Sequence, residues 1–328
     1  MKVILLFSLL CLFFCCTPKE QAGNIERLDP ALDSIIDVKA SIDTLAEGFT
    51  WSEGPLWIER SKMLLFSDVP ANTVYKWTEA KGKEVFLDSS GYTGSVARGG
   101  ETGSNGLLLD KEGRLVLCQH GNRQVAIMEA SLDAPKAVYK SIANNYQSKK
   151  FNSPNDAVFR SNGDLFFTDP PYGLEKNMDD PLKELPFQGV YKVNASGEVV
   201  LLTDSITRPN GIAFTPGEKT LIVANSDSTR PVWYAFDFGT GDSLVNGRVF
   251  YDASAASKLE KGLPDGLKID SKGNVFATGP GGVWIFNKNG KLLGKIKISQ
   301  LVSNCALSPD EKTLYLTADM MVLRIKMR

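Results

Sequence analysis

The chain has 328 residues, 43% of them apolar and 23% charged, with a formal net charge of −1, the balance of a globular protein with enough apolar residues for a large core. Lys and Arg never run beyond a pair. That excludes the dense positive field that nucleic acid or an anionic bilayer surface requires, and leaves small molecules as the expected partners.

The first segment, "MKVILLFSLLCLFFCC", sets one Lys before an apolar run too short to span a bilayer comfortably, and polar "TPKEQAGN" follows. This is the layout of an export signal. "LFFCC" also resembles the lipobox of bacterial lipoproteins; Cys16, preceded by the smaller Cys15, fits the lipidated position better than Cys15, preceded by Phe14. A plain signal peptide or a single anchor helix is the alternative. Residues 1–16 are read as a signal, residues 17–39 as a polar tether and residues 40–328 as one domain, exported to the periplasm or cell envelope. Membrane contact is expected only through the N-terminal lipid, and the protein is expected to be a monomer or weak dimer. Past the leader only Cys118 and Cys305 remain. Both sit in apolar strand-like runs, so they read as buried thiols rather than a disulfide framework.

From residue 53 onward one phrase returns six times: an acidic or amide residue, a small residue, then a β-like run. The instances are "SEGPLWI" at Glu53, "SNGLLLD" at Asn105, "PNDAVFR" at Asn155, "PNGIAFT" at Asn210, "PDGLKID" at Asp265 and "SNCALSP" at Asn304. Their spacings are 52, 50, 55, 55 and 39 residues, in the period range of propeller blades. Each phrase is followed by a polar turn and a second strand such as "LLFSD", "LVLCQ" or "LIVAN", then by a third and usually a fourth strand. Four strands repeated six times predict an all-β fold, a six-bladed β-propeller. Only three strands fit after the sixth phrase. "ASIDTLAEG" at 40–48 can supply the missing outer strand and close the ring, removing an exposed edge.

In such a ring the innermost strand of each blade lies along the axis, so the six phrase residues converge on one mouth of the channel. Asn-Gly and Asp-Gly are also common hairpin dipeptides. Here, however, the hairpin after each first strand is already assigned to another segment, and a Pro before Asn155, Asn210 and Asp265 restrains the local backbone. Carboxylate and amide oxygens without Cys or His are hard donors; Ca²⁺ takes about six to eight oxygens, whereas Zn²⁺ prefers nitrogen and sulfur. Calcium is the expected cation, with Mg²⁺, Mn²⁺ and Zn²⁺ as alternatives. Without one, Glu53 and Asp265 would oppose each other.

Along most of its length the sequence resembles the gluconolactonase and regucalcin (senescence marker protein) family of six-bladed propellers, especially its bacterial gluconolactonase branch. The resemblance is carried, in order, by "EGPLW", "LLFSDVPANTVYKW", "SNGLLLDKEGRLVLCQHGNRQV", "FNSPNDAVFRSNGDLFFTDPPYGL", "RPNGIAFTPGEKTLIVANSD" and "LPDGLKIDSKGNVFAT". It implies a catalytic divalent metal held by Glu53, Asn210 and Asp265, with Asn155 beside it as ligand or substrate contact. It implies lactone hydrolysis, with Asp265 as the base; Asn105 and Asn304 are then channel-lining residues able to touch substrate. His120, the only histidine, follows a second strand and so faces the same mouth; it is a candidate for proton transfer against a structural role. By the same strand parity Tyr172, Arg123 and Arg230 are candidate substrate contacts, while Asp169 shapes its loop. "VARGGETG" at 96–103 precedes no helix and makes a weak phosphate cradle. A phosphotriesterase-like hydrolase, or a non-catalytic binding propeller with a structural calcium, are the competing readings.

Overall fold

The computed structural model describes residues 22–328; the expected signal segment and Cys16 lie outside the described residues. Six sheets are arranged as blades around a channel. Blade 1 runs from Ser52–Ile58 at the axis to Gly82–Asp88 at the rim, and the innermost strand of each later blade likewise begins within two residues of its acid or amide.

The second strands are buried along their whole length: Met63–Asp68, Leu115–Gln119, Leu165–Asp169, Val275–Gly279 and Thr313–Ala318 expose no residue. Both of their faces are covered by neighbouring blades, so they read as continuous apolar runs rather than alternating ones. Outer strands such as Leu244–Asp252 are mostly exposed or half-buried. Between each pair of blades lies its own apolar layer. Leu65 and Val74 of blade 1 meet Leu115 and Leu117 of blade 2, and Phe166 and Val190 of blade 3 meet Ile212 and Val223 of blade 4. The ring closes where Leu64 and Phe66 pack against Ala306 and Tyr315, with Trp57 stacked on Tyr315 at 5.1 Å between centroids and 11° between planes.

The missing strand of blade 6 is Ile42–Glu47, antiparallel to Met321–Lys326 from Ile42↔Ile325 to Glu47↔Met321. The tether expected over 17–39 needs correcting. Gly23–Arg27 pairs with Leu292–Ile298 and forms a fifth strand on blade 5. A short 3₁₀ turn, Pro30–Ser34, follows, started by Asp29 accepting the Ala31 N–H at 2.8 Å. Leu32 and Ile36 have no solvent exposure and pack among Leu293, Ile296, Leu314 and Leu323. The sequence hides this because Ile25, Leu32 and Ile36 are too sparse to show a strand or helix period. The segment is anchored between blades 5 and 6, so Leu32→Ala should cost about 2–5 kcal/mol of unfolding free energy in a denaturant titration. A tether residue would cost nothing.

Candidate metal and substrate site

The residues that carry the phrase are placed by three local devices. The first is an anchor at the end of the second strand. The Asp68 carboxylate accepts the N–H groups of Thr50 and Trp51 at 3.0 and 3.1 Å, just upstream of Glu53. Asp169 accepts those of Asn152 and Ser153, both at 2.8 Å, just upstream of Asn155. The Asn225 side chain accepts the Arg208 N–H at 2.9 Å, upstream of Asn210. Each anchor satisfies buried donors and fixes the approach of the loop to the axis. The second device is a break in strand register at the phrase itself, between Glu53 and Leu56, Ser104 and Leu107, and Pro209 and Ile212; such irregularities re-aim a side chain out of the pleat.

The third is the small residue after the acid or amide. A Cβ on Gly54 would lie 2.1 Å from the Asn105 carbonyl oxygen, and one on Gly211 would lie 2.3 Å from that of Asp265. In blades 1, 2 and 4 the phrase therefore packs its backbone against the phrase of the next blade. The Asn-Gly and Asp-Gly pairs are inter-blade contacts rather than hairpin turns.

Glu53, Asn105, Asn155, Asn210 and Asp265 line one cavity of about 320 Å³ at the channel mouth. All five are buried or nearly so, and the Oδ1 atoms of Asn105, Asn155, Asn210 and Asp265 have no hydrogen-bond partner. The Asn210 amide nitrogen donates to Ser226 Oγ at 3.0 Å, leaving its oxygen unpaired. Buried polar atoms in native folds are almost always satisfied, so four orphaned oxygens in one cavity mark a place where something else completes them. No Lys, Arg or His lines this cavity. Lys268 lies below it, 3.6 Å from Asp156, and is already paired there.

Burial, and then the nearby Asp156 and Glu101 charges, raise the Glu53 carboxyl above its ordinary value; burial and then Glu53 raise Asp265. Two like charges out of water disfavour their own ionisation. A divalent cation reverses that penalty, and the donor set is all oxygen. Among the described residues no three His, Cys, Asp or Glu side chains group closely enough to hold an ion alone. The amide oxygens of Asn155 and Asn210 would therefore have to join Glu53 and Asp265 in holding one. A larger cavity of about 530 Å³ beside Ser34, Lys272 and Arg328 contains none of the orphaned oxygens.

Of the other expected site residues, Tyr172 lines the cavity. Four do not. Arg123 is 5% exposed and bonds the Phe151 and Leu182 carbonyls, so it braces loops instead of touching substrate. Arg230 is exposed, with its guanidinium over the Tyr234 ring at 5.8 Å. Asn304 sits deeper in the channel, its oxygen accepting the Cys305 N–H at 2.8 Å and its amide nitrogen facing Asp156 at 3.5 Å. His120 has no exposure and does not line the cavity; burial lowers its pKa to about 3. Side-chain direction, which strand parity cannot supply, decides all four cases.

Glu101, Trp51, Ser226, Leu263, Leu301 and Val302 complete the cavity and escaped the sequence reading. Glu101 lay in the Gly-rich stretch considered only as a phosphate cradle. The signal available was the length of the connection 89–103, long enough to fold over the mouth.

The fold is a six-bladed propeller whose channel mouth gathers carboxylate and amide oxygens with no Lys, Arg or His among them. The chain belongs to the family described as SMP-30/Gluconolactonase/LRE-like region, whose profile matches residues 51–319. It is 38% identical over 315 residues to a gluconolactonase of Zymomonas mobilis, covering 93% of this chain and 86% of that protein. It is 24% identical to regucalcin of Xenopus laevis over 84% of this chain and 85% of the relative. A solved gluconolactonase of Xanthomonas campestris superposes with a TM-score of 0.79 at 29% identity, covering 93% of this chain and 95% of that one.

The raised carboxyls set a pH test. Between the ordinary carboxylate range and the raised values of Glu53 and Asp265 the folded protein binds more protons than the unfolded chain, so its stability falls as pH rises through that window. After chelation the melting temperature should be higher near about pH 5 than near about pH 8, and added Ca²⁺ should raise it more at the higher pH. Equal calcium-induced rises would mean that these carboxylates do not meet the ion.

Proposed function

We propose that this protein is a lactonase of the gluconolactonase type, opening sugar lactones by hydrolysis with a divalent cation held by Glu53, Asn155, Asn210 and Asp265. Calcium is the first choice because every donor is oxygen and two are neutral amides; Mg²⁺, Mn²⁺ and Zn²⁺ are the alternatives. The observation that carries the reading is the set of four unpaired oxygens on Asn105, Asn155, Asn210 and Asp265 around one small cavity. The gluconolactonases of Zymomonas mobilis and Xanthomonas campestris support the substrate class.

When bound, such an ion polarises the lactone carbonyl and stabilises the oxyanion that develops there. The chain's own groups supply the rest. Asp265, whose carboxyl lines the cavity, accepts the proton of the attacking water. Asn105 and Tyr172 present polar groups to the ring substituents, while Trp51, Leu263 and Val302 form an apolar wall against its carbon face and limit water. The leader sequence supports export to the periplasm or cell envelope, with Cys16 as the lipidated residue and the ring facing outward from the membrane.

A panel of aldonolactones and one aryl phosphotriester, assayed before and after chelation with each cation restored in turn, tests this. Lactone hydrolysis should vanish on chelation and return best with Ca²⁺, and Asp265→Asn should lower kcat by about 10²-fold or more. Activity that survives chelation would sink the metal role. Faster turnover of the phosphotriester would reassign the substrate.

A further inference from the structure

The orientation of Glu101 and His120 is not accounted for by ion binding. Glu101 sits in the connection 89–103, its side chain 36% exposed, and lines the cavity with Glu53, Asp265 and Tyr172. Behind it is His120. Both ring nitrogens of this fully buried imidazole lack a hydrogen bond of ordinary length; the Glu101 backbone faces the ring, and the Glu101 Oε2 lies 3.6 Å from Nδ1. That is just beyond hydrogen-bond length. Catalytic hydrogen bonds in unliganded sites are often long and tighten when substrate is bound.

The surroundings hold this pair in place. A Cβ on Gly173 would meet the His120 Cβ at 2.5 Å, so the loop that carries Tyr172 presses directly on the imidazole. The Arg98 guanidinium donates to the Gly121 and Gly173 carbonyls, tying the connection that carries Glu101 to the His120 turn and the Tyr172 loop. Leaving a buried imidazole unpaired is unfavourable, and the fold sustains it where the ring lies beside a cavity-lining carboxyl.

Lactone opening makes two demands. Attack by water releases one proton, and the departing ring oxygen, an alkoxide, needs one. Asp265 meets the first demand only. We propose that Glu101 is the proton donor to the lactone ring oxygen and that His120 is a positioning residue that holds the Glu101 carboxyl toward the cavity. This rests on the lactonase reading above.

In the step, water oxygen bonds to the carbonyl carbon while one of its protons passes to Asp265. The bond between carbonyl carbon and ring oxygen breaks, its electron pair stays on the ring oxygen, and that oxygen takes the Glu101 proton. The product is the hydroxy acid; Asp265 is left protonated and Glu101 ionised. Asp265 then releases its proton to solvent and Glu101 takes one back through its exposed side, so both groups are reset. Burial raises the Glu101 carboxyl to about 7, toward the protonated form that a donor needs. Burial also keeps His120 neutral. It therefore orients the carboxyl without neutralising it by a full ion pair.

The test compares leaving groups. Glu101→Gln and His120→Gln are assayed on an aldonolactone, whose leaving group is an alkoxide, and on dihydrocoumarin, a phenolic lactone whose leaving group departs without help. Glu101→Gln should lower kcat on the aldonolactone by about 10²-fold with KM nearly unchanged, and should lower the dihydrocoumarin rate several-fold at most. His120→Gln should show the same dependence on leaving group at about tenfold. Equal losses on both substrates, a change confined to KM, or a wild-type rate in Glu101→Gln would overturn the proposal while leaving the lactonase reading intact. If His120→Gln fails to fold, Glu101→Gln decides. If dihydrocoumarin is not turned over, the split between kcat and KM on the aldonolactone decides. A wild-type protein that hydrolyses no lactone with any cation would overturn both readings.

Discussion

Two carboxylates, Glu53 and Asp265, are held out of water in a cavity that contains no positive side chain. Much of the geometry at the mouth of this propeller can be understood from that constraint. Uncompensated, the pair opposes its own ionisation and weakens the folded state. Compensated by a hard cation, it becomes a strong electrophilic centre. The neutral amides of Asn105, Asn155 and Asn210 add oxygen to the same cavity without adding like charge.

The ring delivers those groups by repetition. In blades 1, 2, 4 and 6 the inner strand breaks register where its acid or amide emerges, and in three blades a side chain at the end of the second strand grips the backbone just upstream. A missing side chain after the acid or amide lets neighbouring inner strands touch. Asp68, Asp169 and Asn225 are thus as much part of the site as the groups that face the cavity, although they act only on backbone. The same repetition demands closure, and the chain meets it twice over: Ile42–Glu47 completes blade 6, and Gly23–Arg27 covers the edge of blade 5.

Function requires that the ring be unequal around its axis. The cavity is lined both by polar groups, among them Glu101 and Tyr172, and by the apolar Trp51, Leu263 and Val302, and His120 lies beside the Glu101 carboxyl. This asymmetry comes from the connections at the mouth rather than from the strands, as expected where a rigid scaffold carries variable loops.

The sequence by itself determined the blade number, the closing strand and the convergence of Glu53, Asn105, Asn155, Asn210 and Asp265, because each of these follows from period and spacing. It also placed Tyr172 at the mouth and Asp169 in a loop-shaping role. Tertiary structure alone decided that Arg123 turns inward to carbonyls, that Arg230 lies over Tyr234, that Asn304 sits below the cavity and that His120 stands behind Glu101. It alone showed that residues from Gly23 belong to the fold. The physical reason is that a repeat fixes where a backbone goes, while the direction of a side chain and the burial of an isolated apolar residue depend on neighbours from other blades, which no local pattern records.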